Sequence, residues 1–256
     1  MSRPVRLLVI ASLSCVSVLA LSTPAAAYPI ENEPQLTENA LYGYGKLPAS
    51  KCAEKSVKGN DSVSAKAYIL AIFRCLDATW GKHLTANEVP FEKAKVTFVK
   101  RLPKRWCGMR IPADDSQYWY CPATDGITYQ LGRSWLGEPD NLWLSYTAAR
   151  AYGYHVQRLV GIQKAKEGLR YYHYEEWKEQ LRRQALQGDC LSGVFLRSVW
   201  PLKGRSAKEV SELYGQFSDS VIYGKKKSIA YWVKRGFATG DPGSCNTWTA
   251  SSKQVA

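Results

Sequence analysis

The chain has 256 residues, 45% of them hydrophobic, with 35 Lys and Arg against 22 Asp and Glu and a formal charge of +13. That length suits one domain with a sizeable core, and the basic balance favours anionic partners such as an acidic envelope polymer or lipid headgroups. The basic residues are dispersed, with Lys225-Lys226-Lys227 the one run, which argues for a solvated surface and against a nucleic-acid footprint.

In chain order, Arg3 and Arg6 precede an apolar run from Leu7 to Leu21, followed by Thr23-Pro24-Ala25-Ala26-Ala27. A cationic start, a short apolar stretch and an A-x-A site predict a signal peptide over residues 1–27, cleaved after Ala27. The run is shorter than the roughly 20 residues a spanning helix needs, and no later segment is apolar enough to span, so the mature chain is expected to be secreted. Loss of residues 1–27, with two arginines and no acids, takes the charge from +13 to +11. Cys15 leaves with them, and six cysteines remain: Cys52, Cys75, Cys107, Cys121, Cys190 and Cys245. An even number in an exported chain, with no C-x-x-C pair, predicts disulfides and leaves their connectivity open.

Residues 28–60, with Pro29, Pro34 and Pro48, read as an extended leader pinned near Cys52. Residues 61–250 read as a single domain, and 251–256 as a tail. From Ser62 onward, Tyr68, Ile69, Ile72, Phe73, Leu76 and Trp80 recur at steps of three and four, the stripe of an amphipathic helix. Lys95 to Lys100 alternates like a strand. The segments 118–121 and 127–131 bracket Asp125-Gly126 as a hairpin. A helix after Pro139 shares one face among Leu142, Tyr146, Ala149, Tyr152, Val156, Leu159 and Val160. A second runs from about Tyr174 to Trp200 and stops at Pro201. Ser206-Ala207-Lys208-Glu209 is a capping-box signature, and a last helix through Ile229, Trp232 and Val233 ends near Gly240. The expected fold class is α+β, mainly helical, with a small sheet.

Five stretches carry a resemblance: Tyr152-Gly153-Tyr154-His155-Val156-Gln157; Tyr120-Cys121-Pro122-Ala123; Ala185-Leu186-Gln187-Gly188-Asp189-Cys190; Tyr223-Gly224; and Trp232 through Gly240-Asp241-Pro242 to Cys245. In order and spacing, over residues 42–248, they resemble the bacterial neutral zinc metallopeptidase family, whose motifs are close to H-E-Y-G-H-H-V-Q and E-L-Q-A-D-C, then H-G and a G-D-P…C tail. The resemblance implies a zincin-like domain in which two histidines four apart and an acid on the next helix hold zinc while a glutamate polarises its water. On this chain those places fall on Arg150 and Tyr154 for the histidines, Ala151 for the glutamate, Ala185 for the acid and Tyr223 for the later histidine. Arg150 cannot deprotonate to ligate a metal, Ala151 and Ala185 offer nothing, and a tyrosine is a poor zinc ligand at neutral pH. The resemblance therefore supplies the fold and withdraws the activity, with no metal and no zinc cofactor expected.

The same resemblance suggests the pairs Cys52–Cys75, Cys107–Cys121 and Cys190–Cys245. It also defines a candidate former-site pocket of Arg150, Tyr154, His155 and Asp189. Arg150 either pairs with Asp189, a fixed cation in place of a bound one, or extends to solvent. Tyr146, Tyr152, Tyr154, Tyr171, Tyr172 and Tyr174 are candidates for an aromatic cleft. No serine-hydrolase elbow is present, and Ser192-Gly193 lies mid-helix, where packing is the ordinary role. The expected function is that of a secreted pseudopeptidase binding a peptide or envelope component. The alternatives are an active zinc peptidase with a relocated metal, and a basic protein held to anionic envelope polymer. Nucleic acid is not an expected partner.

Overall fold

The computed structural model describes residues 28–202 and 205–256. The expected signal peptide, residues 1–27, lies outside the described residues.

Local chemistry sets the elements. After a short α1 (Pro34–Thr37), α2 (Ser62–Ala86) starts where the Asp61 carboxylate accepts from the Val63 N–H at 2.8 Å. Its predicted stripe, Tyr68 to Trp80, is buried throughout. Strand β1 (Lys95–Val99) follows, then a miniature ladder of β2 (Arg105–Trp106) and β3 (Met109–Arg110), then β4 (Gln117–Cys121) and β5 (Gly126–Gln130). The hairpin is present, with Tyr120 opposite Ile127 and Asp125 at φ 50° in the turn. On its other edge β5 pairs with β1 in parallel, giving the order β1-β5-β4.

The rest is helical: α3 (Arg133–Leu136), α4 (Asn141–Leu159), α5 (Ile162–Gly168), α6 (Tyr174–Val199), α7 (Ala207–Gly215) and α8 (Lys226–Thr239). Asp140 caps α4 by accepting from Leu142 and Trp143 N–H groups, and the Ser206–Glu209 capping box opens α7. Gly240, at φ 65°, closes α8 in the left-handed conformation that glycine adopts without cost. The architecture is mainly helical α+β, as the sequence pattern predicts. Among the described residues no helix is long and apolar enough to cross a membrane.

The leader departs from expectation. Residues 28–60 are not simply extended: α1 and a 3₁₀ turn at Ala40–Gly43 bury Leu36 and Leu41 completely. Asn39 Nδ2 donates to the Val160 carbonyl at 3.0 Å, tying this segment to the end of α4. Four-residue helices are too short to leave a periodicity, so the pattern carried no sign of them.

The three disulfides join Cys52 to Cys75, Cys107 to Cys121 and Cys190 to Cys245. They tie leader to α2, the β2–β3 ladder to β4, and the C-terminal segment to α6. Helices α6 and α8 pack backbone to backbone through glycine. A Cβ on Gly236 would stand 2.0 Å from the Cys190 carbonyl oxygen, and one on Gly193 2.2 Å from that of Val233. Because backbone cannot swing aside as a flexible side chain can, Gly236→Ala should force the helices apart at a cost of about 1–3 kcal/mol. Urea unfolding checks this, and an unchanged midpoint would contradict the packing described.

Candidate functional site

Helix α4 crosses α6 at another glycine pair: a Cβ on Gly153 would meet the Gly188 Cα at 2.9 Å. The close crossing brings one turn of α4, Arg150 to Tyr154, against one turn of α6, Ala185 to Asp189. Strand β4 contributes Tyr118 and Tyr120, and the segment between α7 and α8 contributes Tyr223.

At the centre lies an ion pair. Arg150 Nε donates to Asp189 Oδ1 at 2.5 Å, and Arg150 Nη1 donates to the Tyr118 hydroxyl at 2.6 Å. The Tyr146 hydroxyl donates to the same Asp189 Oδ1 at 2.5 Å. The guanidinium stands 5.0 Å from the centre of the Tyr223 ring and 6.0 Å from that of Tyr154. Asp189 is fully buried, and its Oδ2 has no hydrogen-bond partner among the described residues. Burial raises the Asp189 pKa, and Arg150 with Tyr146 opposes the rise without cancelling it. Burial is the largest influence on Arg150 and works against its charge, but the Asp189 carboxylate together with Tyr118, Tyr154 and Tyr146 outweighs it and holds the guanidinium well above its usual range.

The phenols around the pair are all shifted upward by burial. Tyr118 is pushed up to about 12, with Arg150 resisting, and Tyr154 and Tyr223 are raised for the same reason. All three are neutral hydroxyls at neutral pH. Above them opens a cleft of about 550 Å³ whose lining includes Arg150, Tyr154, Ala185 and Tyr223.

Four of the five places that the sequence resemblance assigns to zinc chemistry thus line one cleft. The fifth, Ala151, is fully buried outside that lining. The Arg150–Asp189 alternative resolves to the pair. His155 does not belong to the pocket. It is fully buried, with Nδ1 3.1 Å from Asp125 Oδ1 and Nε2 2.8 Å from the Glu92 carbonyl oxygen. One residue beyond Tyr154 is about 100° around the helix, which turns it toward the sheet side.

The expected aromatic cleft is also corrected. Of the six tyrosines only Tyr154 lines it. Tyr146 lies beneath the ion pair, Tyr152 is buried with its hydroxyl on Asp77 Oδ1 at 2.9 Å, and Tyr171, Tyr172 and Tyr174 are exposed on the surface. The aromatic walls come instead from Tyr118, Tyr120, Trp177 and Tyr223. Tyr118 and Tyr120 alternate along β4 and so share one face, a signal the sequence held. Ser192 has the structural role expected of it, donating to the Asp189 carbonyl at 2.6 Å within α6.

These side chains do not fit zinc. Arg150 is a permanent cation at the place of the first ligand, Tyr154 and Tyr223 are neutral phenols, and Ala185 has no donor atom. Asp189, the carboxylate within reach, already holds Arg150 and Tyr146.

Comparison with known proteins places this geometry in a family. An uncharacterized protein of Escherichia coli strain K12, YpfJ, is 25% identical over 232 residues, covering 81% of this chain and 79% of the relative. The protein of the same name in Escherichia coli O6:H1 strain CFT073 matches to the same extent. No solved structure matches. The family described as "Putative neutral zinc metallopeptidase" matches residues 10–213, beginning and ending earlier than the motif-bearing span of 42–248. With that match covering most of its length, the chain belongs to the neutral zinc metallopeptidase family.

Proposed function

We propose that this protein is an exported, non-catalytic member of its family that acts by binding a peptide in the cleft between α4, α6 and β4. The observation that carries the reading is the Arg150–Asp189 pair, 2.5 Å across, where the family's motif places a metal ligand. A fixed guanidinium there supplies hydrogen-bond donors without a Lewis-acidic site or a coordinated water, so it can orient a ligand but cannot activate a nucleophile. The absent glutamate, Ala151, removes the general base as well. What remains is a walled cleft of about 550 Å³, a size that accommodates a few residues of peptide, with aromatic faces for apolar contact. The signal-like residues 1–27 and three disulfides support an extracytoplasmic location.

Trp119 and Trp177 line the cleft and report on it. Titration with short peptides should change tryptophan fluorescence saturably, while the same peptides stay uncleaved with or without added zinc. Zinc-dependent cleavage would overturn the proposal.

A further inference from the structure

Building on the peptide-binding reading, we infer that the floor of the cleft is a receptor for a carboxylate, and that the ligand is a peptide presenting its free C-terminal end. The inference rests on hydrogen-bond donors that the protein leaves without acceptors. Arg150 spends Nε on Asp189 and Nη1 on Tyr118, and Nη2 has no acceptor among the described residues. The Tyr118 oxygen accepts from Arg150, so its own O–H remains to be given. The Tyr154 and Tyr223 hydroxyls, on rings that flank the guanidinium at 6.0 and 5.0 Å, likewise have no acceptor among the described residues. Arg150 thus keeps one unspent N–H edge, with the Tyr118 hydroxyl on it and the rings of two further tyrosines, each with an unspent O–H, beside it. Asp189, the acceptor that holds Arg150, is fully buried beneath the guanidinium, and Glu167, Gln163 and Gln184 are the carboxylate and amide acceptors of the lining. Such a cluster is the complement of an oxyanion.

The charge balance selects the kind of oxyanion. Asp189 neutralises Arg150, so the floor offers strong donors with little net charge. Lys166 and the exposed Arg110 lie along the cleft, opposed by Glu167. A small positive surplus and mostly neutral donors suit a single negative charge better than a doubly charged phosphoryl group. Walls of Tyr120, Trp177 and the tyrosine rings then face the apolar side chains and backbone of the residues preceding the terminus.

The test uses the mature protein with two N-acetylated, alanine-rich pentapeptides that share a phenylalanine and differ only in a free or amidated C-terminus. The free acid should bind at least about tenfold more tightly than the amide, as expected for charge-assisted hydrogen bonds. Tyr223→Phe and Tyr154→Phe each remove one O–H while keeping the ring. Each should weaken the acid several-fold and leave the amide unchanged. Acetate should compete with the acid peptide better than inorganic phosphate does. Equal binding of acid and amide would overturn the carboxylate assignment while leaving peptide binding intact. Stronger competition by phosphate would overturn it in favour of a phosphoryl ligand. If neither peptide binds, the peptide-binding reading itself fails, and this inference with it.

Discussion

Arg150→Ala should destabilise the protein by about 3–5 kcal/mol, because it leaves the Asp189 carboxylate buried without its counter-charge. The Tyr146 hydroxyl would remain as its partner and could not replace a cation. Asp189→Leu should cost a similar amount by stranding Arg150. In the double variant Arg150→Ala with Asp189→Leu, neither charge is stranded, and the loss should be smaller than the sum of the two singles. The residual cost there belongs to the Tyr146 hydroxyl, and adding Tyr146→Phe should recover part of it. Guanidinium unfolding of the set checks the coupling; singles that add without coupling would mean the pair does not hold the site.

The pH dependence has a definite sign. Burial already raises the folded-state pKa of Asp189, and Arg150 is what restrains the rise. Removing Arg150 should raise it further. A carboxyl with a folded pKa above its unfolded value contributes its full stability below the unfolded pKa, and loses it as pH climbs through the folded one. The deficit of Arg150→Ala should therefore be largest near neutral pH and shrink toward about pH 4, where the carboxyl is protonated.

The second large effect concerns Cys190–Cys245. This bridge closes a separation of 55 residues, the longest of the three, and replacing both cysteines with alanine should cost about 4 kcal/mol on the chain-entropy account. For a domain of this size that is a fall of about 8–16 °C in Tm. The bridge has local support. Arg183 Nη1 donates to the carbonyls of Thr247, Trp248 and Ala250, and the Trp248 ring is buried. The C-terminal segment should therefore loosen before the α4–α6 core does. Hydrogen exchange would show protection lost first beyond residue 240, and a variant melting within about 2 °C of the parent would refute the estimate.

The long elements were legible because burial repeats along them. The stripe from Tyr68 to Trp80, the caps at Asp140 and Ser206 and the stop at Gly240 all follow from local rules. The leader's two short helical turns were not legible, since four residues hold no period, and Leu36 and Leu41 are apolar without neighbours to pattern them. The parallel pairing of β1 with β5 is a long-range choice that neither strand encodes alone. In the site, Arg150, Tyr154, Ala185, Asp189 and Tyr223 came from motif positions, and four of these five line the cleft. His155 was misplaced because adjacency in sequence is not adjacency on a helix. The exposed Tyr171, Tyr172 and Tyr174 were misplaced because tyrosine content alone does not say which face a ring occupies, whereas Tyr118 and Tyr120 could have been found from strand alternation.

The central claim is that a fixed Arg150–Asp189 pair stands where the family's motif would hold a metal. The measurement that bears on it most directly is the metal content of the purified mature protein after chelation, exposure to excess zinc and removal of unbound ions. The account predicts zinc far below one equivalent, alongside one bound zinc in a variant that carries Arg150→His, Ala151→Glu, Tyr154→His and Ala185→Glu together. One tightly held zinc in the unaltered protein would contradict it.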